Sequence, residues 1–321
     1  MIIDKAGLVK DTFYVSGLSV YPIELLDGTA PVLFDGGVTC AGRLYADAIR
    51  TVLGEKEPEI VFISHVHWDH CGAVSCLKDA FPSMKVAMSP KAGKILKRRN
   101  AVLQMESLNA GVKSIIAALP EVDPVRLIDK PFEPFEADME LKDGQIIELG
   151  QDLTVEALST PGHTRDHMSY YIPEKKILIA SEACGCLDAT GVVITEFLAD
   201  YDLYLSSLKR LAELPVEILC QGHRLVFVGR DEVRAFFDRS LKATTHFKNR
   251  VCELLDAESR SLENVVMQIK AEQYDTNTGI KQPEVPYLIN LRAQVAHLAE
   301  KARWPGTPGP VNTISGQSGT F

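Results

Sequence analysis

The stretch VFISHVHWDHCG, residues 61–72, concentrates four side chains able to do chemistry: His65, His67, Asp69 and His70. Neutral imidazole and carboxylate are the donors that borderline divalent ions such as zinc or iron accept. The β-prone run ahead of them predicts a strand that hands polar side chains to a loop at its end. Alternate positions of an extended segment point the same way, so His65 and His67 can share one ion. The turn that follows swings Asp69 and His70 toward a second. Two ions held roughly 3.5–4 Å apart are the usual device for hydrolysing an ester or phosphoester.

Three later segments offer further donors from strand ends. His163 follows Pro161-Gly162 in STPGHTRDHMSYYIP and is placed to complete the first set with His65 and His67. His167 precedes the strand Met168–Ile172 and reads as a structural or orienting histidine, with Thr164, Arg165 and Asp166 available to shape the surroundings. Glu182 leaves the apolar strand Lys176–Ala180, where a carboxylate is costly unless paired or metal-bound. It is the candidate ligand between the ions, with a solvent-facing glutamate past the strand end as the alternative. His223, delivered by the strand Val216–Cys220 and the turn at Gly222, is the last ligand for the second ion. Asp35, ahead of two glycines, either orients a metal-bound imidazole or simply forms a turn.

These residues need a scaffold, and the patterning supplies one. Residues 12–36 read as three short β-rich runs in an antiparallel opening with an Asp-Gly turn. A helix over Arg43–Leu53, the motif strand at 60–64, a helix over Ala73–Phe81 and a strand at Lys85–Met88 follow. Strand, helix, strand order places the ligand loop at the carboxyl end of its strand, where α/β architectures carry sites. Residues 91–118 predict one or two helices inserted over the site, with cations at Lys91, Lys94, Lys97, Arg98 and Arg99 that solvate a helix face or attract an anionic carrier. A proline-interrupted loop fills 119–136, and strands resume at Gln145–Leu149 and Leu153–Leu158. Asp200 caps a helix over Tyr201–Glu213, and helices at Val233–Leu255, Ser261–Glu272 and Pro286–Trp304 form a helical appendage. Residues 305–321 cannot bury enough apolar surface to order alone and are expected to form a flexible tail or dock on a partner.

With 321 residues and 46% hydrophobic content the chain can bury a large core. A net charge of −9 argues against nucleic-acid binding, which needs clustered cations, and leaves an acidic substrate dependent on a local basic patch. The start of the chain lacks the pattern of a leader, and no segment reaches the roughly 18 apolar residues of a membrane span. A soluble, cytoplasmic protein without membrane partners is the expectation, its oligomeric state open. Seven scattered cysteines do not read as a disulfide framework. Cys71, Cys184 and Cys220 stand near proposed ligands, which leaves a thiolate by the metals open.

Taken together, VLFDGG, SHVHWDHCGA, STPGHTRDHMSYY, KKILIASE and QGH resemble, in order, the landmarks of the metallo-β-lactamase-fold hydrolases over residues 12–230. The resemblance implies a four-layer αββα sandwich with two divalent metal ions, zinc or iron, at one edge. It places His65, His67 and His163 on one ion and Asp69, His70 and His223 on the other. Glu182 falls where most of the family has aspartate, so it either bridges or binds one ion only. The helical insert and C-terminal helices are similar to the quinolone-signal response thioesterase subgroup. That likeness implies a catalytic domain at 1–230 with a helical insert at about 91–118, a helical region at 231–304 covering the site, and the 305–321 tail.

The expected activity is hydrolysis of a small-molecule carboxylic thioester by a metal-activated hydroxide, with Asp69 orienting the water and accepting its proton. A thiolate with a pKa near 8.5 leaves with little protonation, so no dedicated acid is needed. Lactone or phosphodiester hydrolysis and a metal-containing ligand-binding or regulatory protein are the alternatives. An oxygen-reductase reading would require a glutamate where His67 stands and a following flavin domain, and the sequence has neither.

Overall fold

The structure, a computed structural model, describes residues 1–150, 152–257, 261–278 and 284–302. The first eight strands are β1 (Ile2–Ile3), β2 (Gly7–Lys10), β3 (Phe13–Gly17), β4 (Pro22–Leu26), β5 (Val32–Phe34), β6 (Ile60–Phe62), β7 (Lys85–Met88) and β8 (Met139–Glu140). They are followed by β9 (Gln145–Glu148), β10 (Thr154–Ser159), β11 (Met168–Ile172), β12 (Ile177–Ser181), β13 (Cys186–Leu187), β14 (Val193–Ile194), β15 (Ile218–Gln221) and β16 (Val226–Val228). The helices are α1 (Gly42–Leu53), α2 (Trp68–Cys71), α3 (Val74–Ala80), α4 (Pro90–Leu96), α5 (Arg99–Ala117), α6 (Tyr201–Ala212), α7 (Arg230–Ala257), α8 (Leu262–Lys270) and α9 (Glu284–Lys301).

Contacts divide the chain into two units, of which the first comprises Met1–Ser159, Asp166–Ser181 and Pro215–Val233. It holds two seven-stranded sheets, ordered β2-β3-β4-β5-β6-β7-β8 and β1-β16-β15-β12-β11-β10-β9. The first sheet is antiparallel up to β5 and parallel from β5 to β8, as expected where crossovers such as α1 return the chain to the same edge. Inner faces of both sheets share one core that includes Phe13, Phe34, Phe62, Val155, Tyr170, Ile179 and Ile218. Phe34 stacks on Phe62 at 5.4 Å, and the Tyr170 ring lies 5.1 Å from Phe62. Leu33 and Val61 point to the opposite face and are equally buried. Such double burial explains why these strands read as continuous apolar runs rather than alternating ones.

Hydrogen bonds tie the second sheet to the loop after β6, among them a contact of Ser64 Oγ with Ser181 Oγ at 3.3 Å. The Tyr170 hydroxyl donates to the Ile63 carbonyl at 2.6 Å, and the Met168 amide donates to the Ser64 carbonyl at 2.7 Å. A buried phenol needs an acceptor, and here its acceptor is the backbone that leads into the histidines. The insert is two helices, α4 and α5, consistent with the helix-forming composition of 91–118.

The second unit comprises Thr160–Arg165, Glu182–Leu214 and the described residues from Arg234 onward. Asp200 caps α6 by accepting from the Leu203 amide at 2.9 Å, as its sequence position predicts. Phe197 packs edge-on against Tyr201 at 5.2 Å and Phe247 at 5.7 Å, joining α6 to α7. Gln294 on α9 donates to the Thr195 carbonyl at 2.8 Å. The expected tail at 305–321 and the end of the last helix at Trp304 lie outside the described residues. No described helix is long and apolar enough to cross a membrane.

Candidate metal centre

The carboxyl ends of β5, β6, β12 and β15 converge on one edge of the first unit. After β6 the chain stays extended to His67 and then makes the single helical turn α2, so Asp69 and His70 leave a helix where the sequence suggested only a tight turn. Residue 223 follows β15 in a turn that the Gln221 side chain closes by donating to the His223 carbonyl at 2.6 Å. Asp69, His70 and His223 bring their donor atoms within 4.8 Å of one another. One carboxylate and two imidazoles at that spacing form a donor set suited to a divalent ion.

The other imidazoles of this unit crowd the same place. Ring centroids of His65 lie 4.4 Å from His67, 4.4 Å from His70 and 4.9 Å from His167, and His70 is 5.3 Å from His223. Imidazolium ions packed so closely repel, whereas neutral rings around a shared cation do not. The His167 ring stacks on that of His65 at an interplanar angle of 23°.

A hydrogen-bond network fixes which ring nitrogen faces the cluster. The Asp35 carboxylate accepts from the Ser64 amide at 2.7 Å, the Ser64 hydroxyl at 2.8 Å and His70 Nδ1 at 2.7 Å. A carboxylate can only accept, so His70 carries its proton on Nδ1 and keeps the lone pair on Nε2. The single Ser64 hydroxyl proton goes to Asp35, so Ser64 Oγ accepts from His65 Nδ1 at 2.9 Å and leaves the His65 lone pair on Nε2 as well. Between the two extended histidines, the Val66 amide donates to Asp166 at 3.0 Å. Of the two readings of Asp35, the orienting one describes the geometry.

Costly backbone conformations stand beside this network, as they also do at Asp11, Asp152 and Lys176. Asp35, Ser181 and Arg224, each at or just past a strand end, have φ of 60°, 49° and 63°. Left-handed backbone costs a non-glycine residue about 1–2 kcal/mol, and such strain collects where side chains must be aimed. Gly72 is required for space, because a Cβ there would overlap the Trp68 carbonyl and crowd Asn109 Oδ1 at 2.8 Å. Asn109, on α5, accepts from the Thr39 amide at 2.9 Å and donates to the Trp68 carbonyl at 3.2 Å. Sequence reasoning missed it, although a polar residue in the apolar stripe of Met105, Val112 and Ile116 was the available signal. Tyr21, at the turn between β3 and β4, was missed too. Its ring stands edge-on to Trp68 at 5.6 Å and His223 at 5.5 Å, and burial reinforced by the Asp69 charge pushes its phenol pKa far up.

The cysteines are all free, and among the described residues none joins a group of three or more metal donors. Burial, with Asp35 and Asp69 adding, holds the Cys71 thiol well above its usual range. It behaves as a small buried hydrophobe.

His163 and Glu182 belong to the second unit. Gly162 brings its chain so close to α6 that a Cβ would overlap the Tyr204 backbone, and its carbonyl accepts from the Ala199 and Asp200 amides at 3.0 and 3.1 Å. His163 Nδ1 donates to the Glu196 carbonyl at 2.5 Å, leaving the lone pair on Nε2. Glu182 opens a short 3-10 turn after β12 and is 3% exposed.

Two packed sheets whose strand ends gather imidazoles and a carboxylate define an α/β sandwich with a candidate metal centre. The chain belongs to the metallo-beta-lactamase superfamily, whose family model matches residues 16–223. Among curated proteins it is 26% identical over 181 residues to a hydroxyacylglutathione hydrolase of Rhodopseudomonas palustris, covering 54% of this chain and 60% of that protein. It is 28% identical over 116 residues to the atrochrysone carboxyl ACP thioesterase of Aspergillus fumigatus, covering 36% of this chain and 34% of the relative. The chain thus spans three fifths or less of the length of these two relatives. An archaeal metallo-beta-lactamase superfamily protein from Sulfolobus tokodaii aligns with a TM-score of 0.55 at 17% identity, covering 91% of this chain and 99% of that one. At that identity the likeness is one of fold. The resemblance drawn from the sequence motifs, and the fold it implied, are thereby borne out.

Proposed function

We propose that this chain is a metal-dependent hydrolase acting on a carboxylic thioester, with His65, His67 and His163 holding one divalent ion and Asp69, His70 and His223 a second. Glu182 is the candidate shared ligand. The observation that carries the reading is the convergence of Asp69, His70 and His223, donors from two distant segments, within 4.8 Å. Zinc or iron bound there would polarise the scissile carbonyl and make water nucleophilic near neutral pH. The remaining work falls to the chain. Asp35 and Ser64 keep the His70 and His65 lone pairs on Nε2 before any substrate arrives. Asp69, whose carboxylate lies 3.7 Å from His223 Nε2, would take the proton of the attacking water. The Tyr21 phenol, kept protonated by burial and the Asp69 charge and packed edge-on against His223, would be a neutral donor. A thiolate leaves without a dedicated acid.

The relative named a thioesterase supports this substrate class. Those named hydroxyacylglutathione hydrolases favour a narrower choice within the same class, a thioester whose thiol is glutathione. The test is metal analysis of the purified chain together with an assay of acyl thioesters, acylglutathiones, lactones and phosphodiesters, each repeated with His67→Ala. Turnover of a thioester that collapses in the variant is the expected result. Equal turnover by the variant on every active substrate would refute hydrolysis at this centre.

A further inference from the structure

Between Asp79 and Glu106 the chain carries six cations and no carboxylate, although the whole protein has a net charge of −9. Five of them, Lys91, Lys94, Lys97, Arg98 and Arg99, fall on α4, on the start of α5 and at the junction between them, and all five are exposed. Among the described residues only Lys97 has a carboxylate within reach, Glu136 at 3.8 Å, and that pair is 74% and 85% exposed. Solvated cations on an ordinary helix face are usually interleaved with acids at i+3 or i+4. These are not.

The position of two of them also opposes helix stability, whereas Lys94 and Lys97 sit in the last turn and at the C-cap of α4, where cations are favourable. Arg98 is the N-cap of α5 and makes no capping bond, Arg99 is its first residue, and the first turns of α4 and α5 contain no acid. A helix start carries partial positive charge, so these residues break a local rule without a visible structural return. Screening at physiological salt confines such a field to roughly 8–10 Å, so the distant acids that make the protein anionic do not cancel it. The same helix reaches the candidate centre. From Arg99 to Asn109, which bonds the Trp68 carbonyl at the start of α2, α5 advances about 15 Å at 1.5 Å per residue.

We infer that this cluster is the docking surface for an acidic carrier protein that presents its acyl group as a thioester on a flexible phosphopantetheine arm. The inference rests on the thioester reading above and names the partner of that site. An extended polyanion such as nucleic acid, or an anionic membrane, would meet the protein's net negative charge beyond this patch, whereas a small acidic domain needs only the patch itself. A long arm matches a docking surface set one helix span away from the centre.

The experiment separates docking from chemistry. Binding of a labelled, acidic acyl carrier protein with its phosphopantetheine arm is measured by fluorescence anisotropy against the full chain at low and high salt, and against Lys91→Glu/Lys94→Glu/Arg98→Glu. The milder Lys91→Gln/Lys94→Gln/Arg98→Gln set serves if the reversal disturbs folding. Hydrolysis of the acylated carrier protein is compared with that of the same acyl group on N-acetylcysteamine and on coenzyme A. We expect binding that weakens with salt, an affinity and kcat/KM for the carrier substrate lowered about 10- to 100-fold by charge reversal, and an unchanged rate on the N-acetylcysteamine thioester. Absence of binding at low salt, equal binding by the variants, or a charge dependence confined to coenzyme A would each overturn the inference. Carrier binding that depends on the patch while no thioester is cleaved would uphold docking and refute the hydrolytic reading.

Discussion

At the amino ends of β12 and β15, Lys176 meets Glu217 at 2.8 Å and Lys10 approaches the same carboxylate at 3.6 Å, with side chains 36–50% exposed. At the carboxyl end of β15, roughly 13 Å away at 3.3 Å per residue, His223 lies 3.7 Å from Asp69, which is only 12% exposed. Charged and polar residues occupy both ends, yet only one end aims them. At the amino end opposite charges neutralise each other in water, an arrangement worth little to stability. At the carboxyl end imidazoles crowd together at centroid distances of 4.4–5.3 Å, aimed by the bonds of Asp35 and Ser64. The packed rings gain little from one another beyond the bonds made by Asp35, Ser64 and Asp69, and a shared cation would reward the crowding.

The contrast can be broken most severely at Asp69. Asp69→Asn keeps the shape but removes the proton acceptor, so hydrolysis should fall about 100- to 10,000-fold in a steady-state assay while the thermal unfolding midpoint barely moves. A matching loss of stability would mean that the site end is built for the fold. Next comes Asp35→Asn, which preserves a residue type tolerant of the left-handed backbone while removing the charge that fixes His70. Metal affinity should drop about 10- to 100-fold by competition with a chelator, and an unchanged affinity would deny Asp35 its orienting role.

How much of this was readable beforehand follows from where the information lies. The strands Lys85–Met88 and Met168–Ile172 were legible because their composition and their bounding turns are local. β1 was not, since Ile2 pairs with Phe227 and nothing local marks two residues as a strand. β16 escaped for the same reason. The histidines and Asp69 announced themselves by spacing, but the network through Ser64 did not. Serine beside histidine has no signature until β5 and β6 pair and set Asp35 opposite it. Asn109 was hidden in a helical stripe, and its partners Thr39 and Trp68 lie far back in the chain.

Asn109→Ala therefore probes a part of the site that composition did not reveal. It leaves the Thr39 amide and the Trp68 carbonyl without their buried partner, and chemical denaturation should register a loss of about 1–3 kcal/mol. A neutral outcome would mean that α5 does not brace the ligand turn. The smallest effect belongs to the amino end. Lys176, by hydrogen bond and charge, holds the Glu217 carboxyl below its usual range. Any stability it confers is therefore present above the unfolded pKa and lost as the pH falls through the folded one. Glu217→Gln should lower the unfolding midpoint only slightly at neutral pH and not at all once the pH lies below the folded pKa, so that the acid limb of a stability-against-pH curve is flatter. A large drop at neutral pH would erase the distinction between the two ends.

The central claim is that the clustered imidazoles and carboxylates exist to hold metal. Elemental analysis of the full chain after dialysis against zinc or iron, beside His67→Ala and Asp69→Ala, tests it directly. The account predicts about two ions per native chain and a clear deficit in each variant. A native protein that takes up neither metal, or variants that retain the full complement, would contradict it.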